Sequence, residues 1–143
     1  MTILMIIGLV AYTKVLQDAR DSKRQSDISF IQSALESYYS DQFNYPVKST
    51  STSACPGNGQ FSIVTGQECS FKNPTGSKTY MVSIPRDPNQ SPANQYRYEA
   101  LPAACDNSVT ACNSYCLYAD GENKVVATIC TDITGYDMEA TAP

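Results

Sequence analysis

Histidine is absent from this chain of 143 residues. Ser-His and Cys-His nucleophile pairs and the commonest proton shuttle go with it. Basic residues are few: 10 Lys and Arg against 14 Asp and Glu leave a net charge of −4, which argues against a nucleic-acid partner held by a basic surface. The phosphate-cradling glycine loop and the EF-hand spacing are both missing, and no paired carboxylates stand out from surface acids. Asp120, Asp132 and Asp137 could serve as calcium ligands, with plain surface acids as the simpler reading. The expectation is therefore a protein with no catalytic residue, no cofactor and no resident metal. Proline does not occur before Pro46, and Gly8 is the only glycine before Gly57, so little interrupts a helix at the start of the chain. The apolar run that opens it, MTILMIIGLVAY, falls short of the roughly 20 apolar residues that span a bilayer.

What is present begins with that run. It passes directly into a charged and then amphipathic segment, in which Ile28, Ile31, Leu35 and Tyr38 recur at helical spacing. One helix from about Thr2 to Gln42, ending near Phe43, is expected, roughly 60 Å long at 1.5 Å per residue. It is much longer than the small domain left to cover it, so its first half projects. Ile3, Leu4, Ile6, Ile7, Leu9, Val10, Val15 and Leu16 are its apolar assembly residues. A signal peptide or simple membrane anchor is the competing reading, but no basic segment precedes the run and no small-x-small site follows it. Between the apolar half and the domain lie Arg20, Asp21, Lys23, Arg24 and Asp27, read as intersubunit or solvated ion pairs. On that reading, truncating Arg24 or Asp27 weakens assembly and spares the domain.

After the helix about 100 residues remain, enough for one domain. Residues 1–43 form the assembly helix and 44–143 the globular part, with a turn-rich loop over 48–77 and at most one short strand near Phe61–Val64. Thr79–Ile84, Gln95–Ala100, Ser114–Ala119 and Lys124–Cys130 carry the β-branched and aromatic residues of strands. Asp120-Gly121-Glu122-Asn123 reads as a hairpin turn and the tail GYDMEATAP as loop. The expected fold is α+β, a long projecting helix packed on a small antiparallel sheet. Most of the 10 tyrosines, such as Tyr80, Tyr96, Tyr98, Tyr115 and Tyr118, fall at alternate strand positions suited to packing.

Six cysteines in so small a domain point to disulfides and an oxidising compartment. Cys112 and Cys116 have a spacing seen in zinc sites, but no second knuckle accompanies them. Cys55 pairs with Cys69 inside one loop; for the rest, Cys105 with Cys112 and Cys116 with Cys130 is the preferred arrangement. Ser51, central in the Ser/Thr tract 49–53, offers a hydroxyl for O-linked sugar, and Asn89-Gln90-Ser91 is an N-glycosylation triplet; in both places a plain solvated loop is the alternative.

The segment IIGLVAYTKVLQDARDSKRQSDISFIQSALESYYSDQFNYP resembles the N-terminal helix of bacterial type IV pilins and type II secretion pseudopilins. YMVSIPRDPNQSPANQYRYEA and YCLYADGENK are similar to their sheet segments. Met1–Met5 holds no acid, so the glutamate usual in that family's helix has no counterpart here. The resemblance implies the pilin fold and the major subunit of an extracellular filament on the bacterial surface. Such a homo-oligomer of identical subunits is held in the inner membrane before assembly and handled by the pilus assembly machinery. Adhesion, twitching motility, DNA uptake and host contact are the uses it implies. A type II secretion pseudopilin, or a monomeric membrane-anchored binding module, are the alternatives.

Overall fold

The computed structural model describes residues 2–51, 54–63, 69–89, 96–122 and 138–142. Side chains are described outside 2–11 and 138–141. A single helix, α1 (Thr2–Gln42), runs without a break through the glycine- and proline-poor opening segment. From Tyr12 to Ala19 its surface is almost wholly exposed, and among the described side chains Arg24 is the first that is fully buried. Beyond it Ile28, Ile31, Ala34, Leu35 and Tyr38 are buried. These positions share one helical face, which the domain covers.

The helix ends as Phe43 takes a left-handed backbone (φ 58°) and its N–H returns to Tyr39 O at 2.8 Å. Tyr45 and Pro46 then turn the chain into the domain, where Tyr45 N–H reaches Cys112 O at 2.8 Å. Among the described residues seven strands follow. β1 (Val47–Lys48) pairs in parallel with β2 (Gln60–Phe61), and β3 (Phe71–Lys72) antiparallel with β4 (Thr79–Met81). β5 (Arg97–Leu101), β6 (Ser114–Ala119) and β7 (Met138–Thr141) form an antiparallel sheet in the order β5-β6-β7.

Three sequence expectations change here. The 48–77 loop contains β2 and β3 and receives the end of β1, because Phe61 and Phe71 are wholly buried and draw their short segments onto the core. At Gly59 the backbone is left-handed (φ 74°), and a Cβ would lie 2.9 Å from Pro74, so glycine alone fits between β1 and β3. β4 joins β3, so Thr79–Met81 is not part of the main sheet. The tail is no loop: Met138–Thr141 pairs with β6 from Cys116↔Thr141 to Ala119↔Met138. The expected strand Lys124–Cys130 and Asn123 of the hairpin turn lie outside the described residues.

The core sits between α1 and the strands. Tyr115, Leu117 and Ala119 of β6 face it with Tyr98 and Ala100 of β5, while Cys116 and Tyr118 form a smaller cluster on the sheet's other face beneath Leu101. Aromatic rings bind the layers: Tyr38 of α1 stacks on Phe71 at 5.1 Å, and Tyr45 meets Tyr115 edge-on at 4.8 Å.

Candidate functional site

Ile3, Leu4, Ile6, Ile7, Leu9 and Val10 all lie within α1. Tyr12 is 61% exposed, Val15 63% and Leu16 38%. Among the described residues no helix is long and apolar enough to cross a membrane. The described apolar side chains on this part of the helix, Tyr12, Val15 and Leu16, are thus left in contact with solvent in the isolated chain, an arrangement that marks an interaction surface.

The five helix charges all find partners within the chain itself. Arg24 is fully buried. Its Nε donates to Asp87 Oδ2 at 2.7 Å and its Nη2 to Asp87 Oδ1 at 3.0 Å, while Nη1 reaches Asp21 at 2.6 Å and Glu122 at 3.2 Å. Arg20 also grips Glu122 with two nitrogens. Asp21 in turn accepts the Glu122 backbone N–H at 2.9 Å. The hydrogen bonds to Asp87 raise the Arg24 pKa, and those from Arg20 hold the Glu122 carboxyl below its ordinary value. Lys23 pairs with Asp27 at 2.9 Å on the exposed side, and Asp27 accepts the Tyr96 hydroxyl at 2.8 Å. Together these contacts clasp the 84–89 and 120–122 segments onto the helix.

The partners Asp87 and Glu122 were not singled out from sequence. A signal existed: Arg24 stands four residues before Ile28 and seven before Ile31, in phase with the apolar face. A charge in that phase requires an acid from the domain above it.

Two of the expected disulfides are in place, Cys55–Cys69 and Cys105–Cys112. Cys116 is disulfide-bonded as well, and Cys130, its expected partner, lies outside the described residues. The Cys105–Cys112 loop is rigidly built: Asp106 accepts the backbone N–H groups of Ser108, Val109 and Thr110, which hold its carboxyl far below the usual range. Asn107 joins it to the helix exit, donating to Tyr45 O at 2.7 Å.

Ser51 is half-buried, and its Oγ accepts the Ala54 N–H at 3.1 Å. Asn89 is exposed and Gln90 and Ser91 lie outside the described residues. Asp120 stands beside the helix clasp, with Oδ1 buried and lacking a hydrogen-bond partner; Asp132 and Asp137 lie outside the described residues. Among the described residues no three metal-ligating side chains gather.

Two surface features were not foreseen. Phe43 is 82% exposed, and its left-handed backbone is one that a bulky residue adopts at a cost of about 1–3 kcal/mol. On the far side of the sheet a groove of about 450 Å³ opens over Val47, Leu101, Ala103, Ala104 and Tyr118, with Lys48 and Glu99 paired on its rim.

Comparison with known proteins gives no match to a family model, a curated protein or a solved structure.

Proposed function

We propose that this protein is the structural subunit of a helical extracellular filament of the type IV pilus kind, carrying the pilin fold. The observation that carries the reading is the division of α1: its second half is sunk into the domain, while Tyr12 and Val15 on its first half are 61% and 63% exposed. The mechanism is physical. First halves of neighbouring subunits bundle along the filament axis, each Å² of apolar surface removed from water contributing about 25 cal/mol. The disulfide-stapled domains tile the outside. A head-to-tail contact that does not close generates an open polymer from identical copies. Before assembly the inner membrane shelters the apolar half, and the pilus assembly machinery extracts it.

The test is substitution of Ile6 by Asp with imaging of the native assembly. A charge placed in the bundle without a partner costs several kcal/mol and stops polymerisation. Normal filaments from Ile6→Asp, or a native protein found only as a membrane-bound monomer, would overturn the reading. Short periplasmic rods in place of long surface filaments would assign it to a secretion pseudopilus.

A further inference from the structure

We propose that Asn58 is a site of self-modification, where the side-chain amide is lost through attack by the Gly59 backbone nitrogen at a rate set by the Cys55–Cys69 bridge. The inference goes beyond the filament reading and does not depend on it.

In an asparagine–glycine pair a main-chain nitrogen reaches a side-chain carbonyl most readily, because glycine has no side chain to obstruct the approach. Of the eight asparagines in the chain, Asn58 alone is followed by glycine. It is exposed, so water reaches it. The Gly59 nitrogen gives up its proton to solvent base and bonds to Asn58 Cγ, the Cγ–Nδ2 bond breaks, and ammonia leaves. Water then opens the five-membered ring at one of its two carbonyls. Breaking the new bond leaves aspartate, whereas breaking the original peptide bond leaves isoaspartate, with the main chain rerouted through Cγ. One water is consumed and one ammonia released, with no oxidant or reductant.

The fold restrains the nucleophile. Asn58 and Gly59 are the central residues of a turn closed by Gln60 N–H to Gly57 O at 3.1 Å, and Gly59 has the left-handed backbone (φ 74°) that the third position of a type II turn requires. Its N–H donates to Lys72 O of β3 at 3.0 Å, and its carbonyl accepts the Val47 N–H of β1 at 3.3 Å. A bonded N–H is shielded from the base that must remove its proton, so attack waits for a local opening. The carboxamide is packed too, since a Cβ at Gly76 would lie 2.6 Å from Asn58 Nδ2.

The bridge governs that opening. Cys55 lies three residues before Asn58 and Cys69 three before Lys72, so the disulfide, with its Cα atoms 5.3 Å apart, ties together the same two segments that the Gly59–Lys72 hydrogen bond joins. Without it they are held by short hydrogen-bonded stretches and by Phe61 against Phe71 at 5.1 Å. Isoaspartate adds a main-chain atom to a turn in which Gly59 is already pressed against Pro74, and so loosens the junction of β1, β2 and β3.

The experiment incubates the full oxidised chain in warm, mildly alkaline buffer beside a synthetic peptide of residues 56–61. Peptide mapping with electron-transfer fragmentation should find aspartate and isoaspartate at position 58 in both, forming at least about tenfold more slowly in the folded chain. Hydrogen exchange on the same wild-type protein reports opening at the Gly59 amide, and denaturant raised in steps below the unfolding transition should speed exchange and modification in parallel. Cys55→Ser with Cys69→Ser should raise the rate roughly tenfold, whereas Cys105→Ser with Cys112→Ser should leave it within about twofold of wild type. Should the first pair fail to fold, the wild-type denaturant series decides. Modification as fast in the folded chain as in the peptide, equal acceleration by both pairs of substitutions, or a rate that ignores Gly59 exchange overturns the inference. So does a chain left unmodified after its Gly59 amide has exchanged many times over.

Discussion

The hydroxyl of Tyr96 rests 2.8 Å from Asp27 Oδ2, joining the domain to the helix through a phenol that burial and a nearby carboxylate keep protonated. It is one of several. Tyr45 and Tyr115 both donate to Glu36, and Tyr80 donates to Asp41.

Alkaline unfolding follows from these pairs. Burial, reinforced by the carboxylate, pushes the Tyr80 pKa up to about 12, and Tyr45, Tyr96, Tyr98 and Tyr115 are raised further. In the unfolded chain these phenols ionise near pH 10. Their stabilisation is fully present below that pH and is lost as pH rises through the folded values. Denaturant titrations between pH 8 and pH 12 should show a falling midpoint beginning near pH 10, with tyrosinate absorbance appearing together with unfolding. A flat stability profile would contradict this.

Acid acts from the other side. The Glu122 and Asp41 carboxyls are held low by Arg20 and Lys78 respectively, so their contribution exists above the ordinary carboxyl pKa and is lost as pH falls through the folded value. Glu122→Gln should flatten the stability profile below about pH 4, where a carboxyl of ordinary pKa protonates. An unchanged acid limb would count against the clasp.

Arg24→Met should destabilise the domain by about 3–5 kcal/mol, since it leaves the buried Asp87 carboxylate without its counter-charge. Arg24→Lys should rescue little, because an ammonium cannot repeat the two-pronged contact. Lys23→Ala, on the exposed side, should cost less than about 1 kcal/mol. Chemical denaturation of the three variants checks the order. It also separates the intrachain clasp from the intersubunit role first expected of these charges.

Breaking Cys55–Cys69 should cost about 3 kcal/mol, the chain-entropy value for a bridge spanning 14 residues. Cys105–Cys112, spanning 7, should cost less. Unreduced mass spectrometry should find no free thiol, and melting of paired Cys→Ser variants should give this ranking.

The helix was legible because nothing opposed it: one glycine, no proline and an apolar phase set by Ile28, Ile31, Leu35 and Tyr38 dictate its course. The short-range disulfides were legible because Cys55 and Cys69 share a loop. Strand β7 was not. Met-Glu-Ala-Thr carries no alternation of branched residues, and it is extended because β6 offers a free edge there, a tertiary cause that local propensity does not contain. The charge clasp was missed because Arg24 was grouped with its neighbours in sequence and not with its neighbours in helical phase. Phe43 gave no sign at all, since its meaning lies in a backbone angle.

The packing of β7 and β6 against α1 has a consequence for how the protein is made. Synthesis proceeds from the helix onward at about 5–20 residues per second, so roughly 5–20 seconds separate completion of α1 from that of Met138–Thr141. Throughout that interval the helix lacks the last strand that packs against it. A nascent chain in that state carries an incompletely covered inner helical face, and its fold closes only when the last strand has been made.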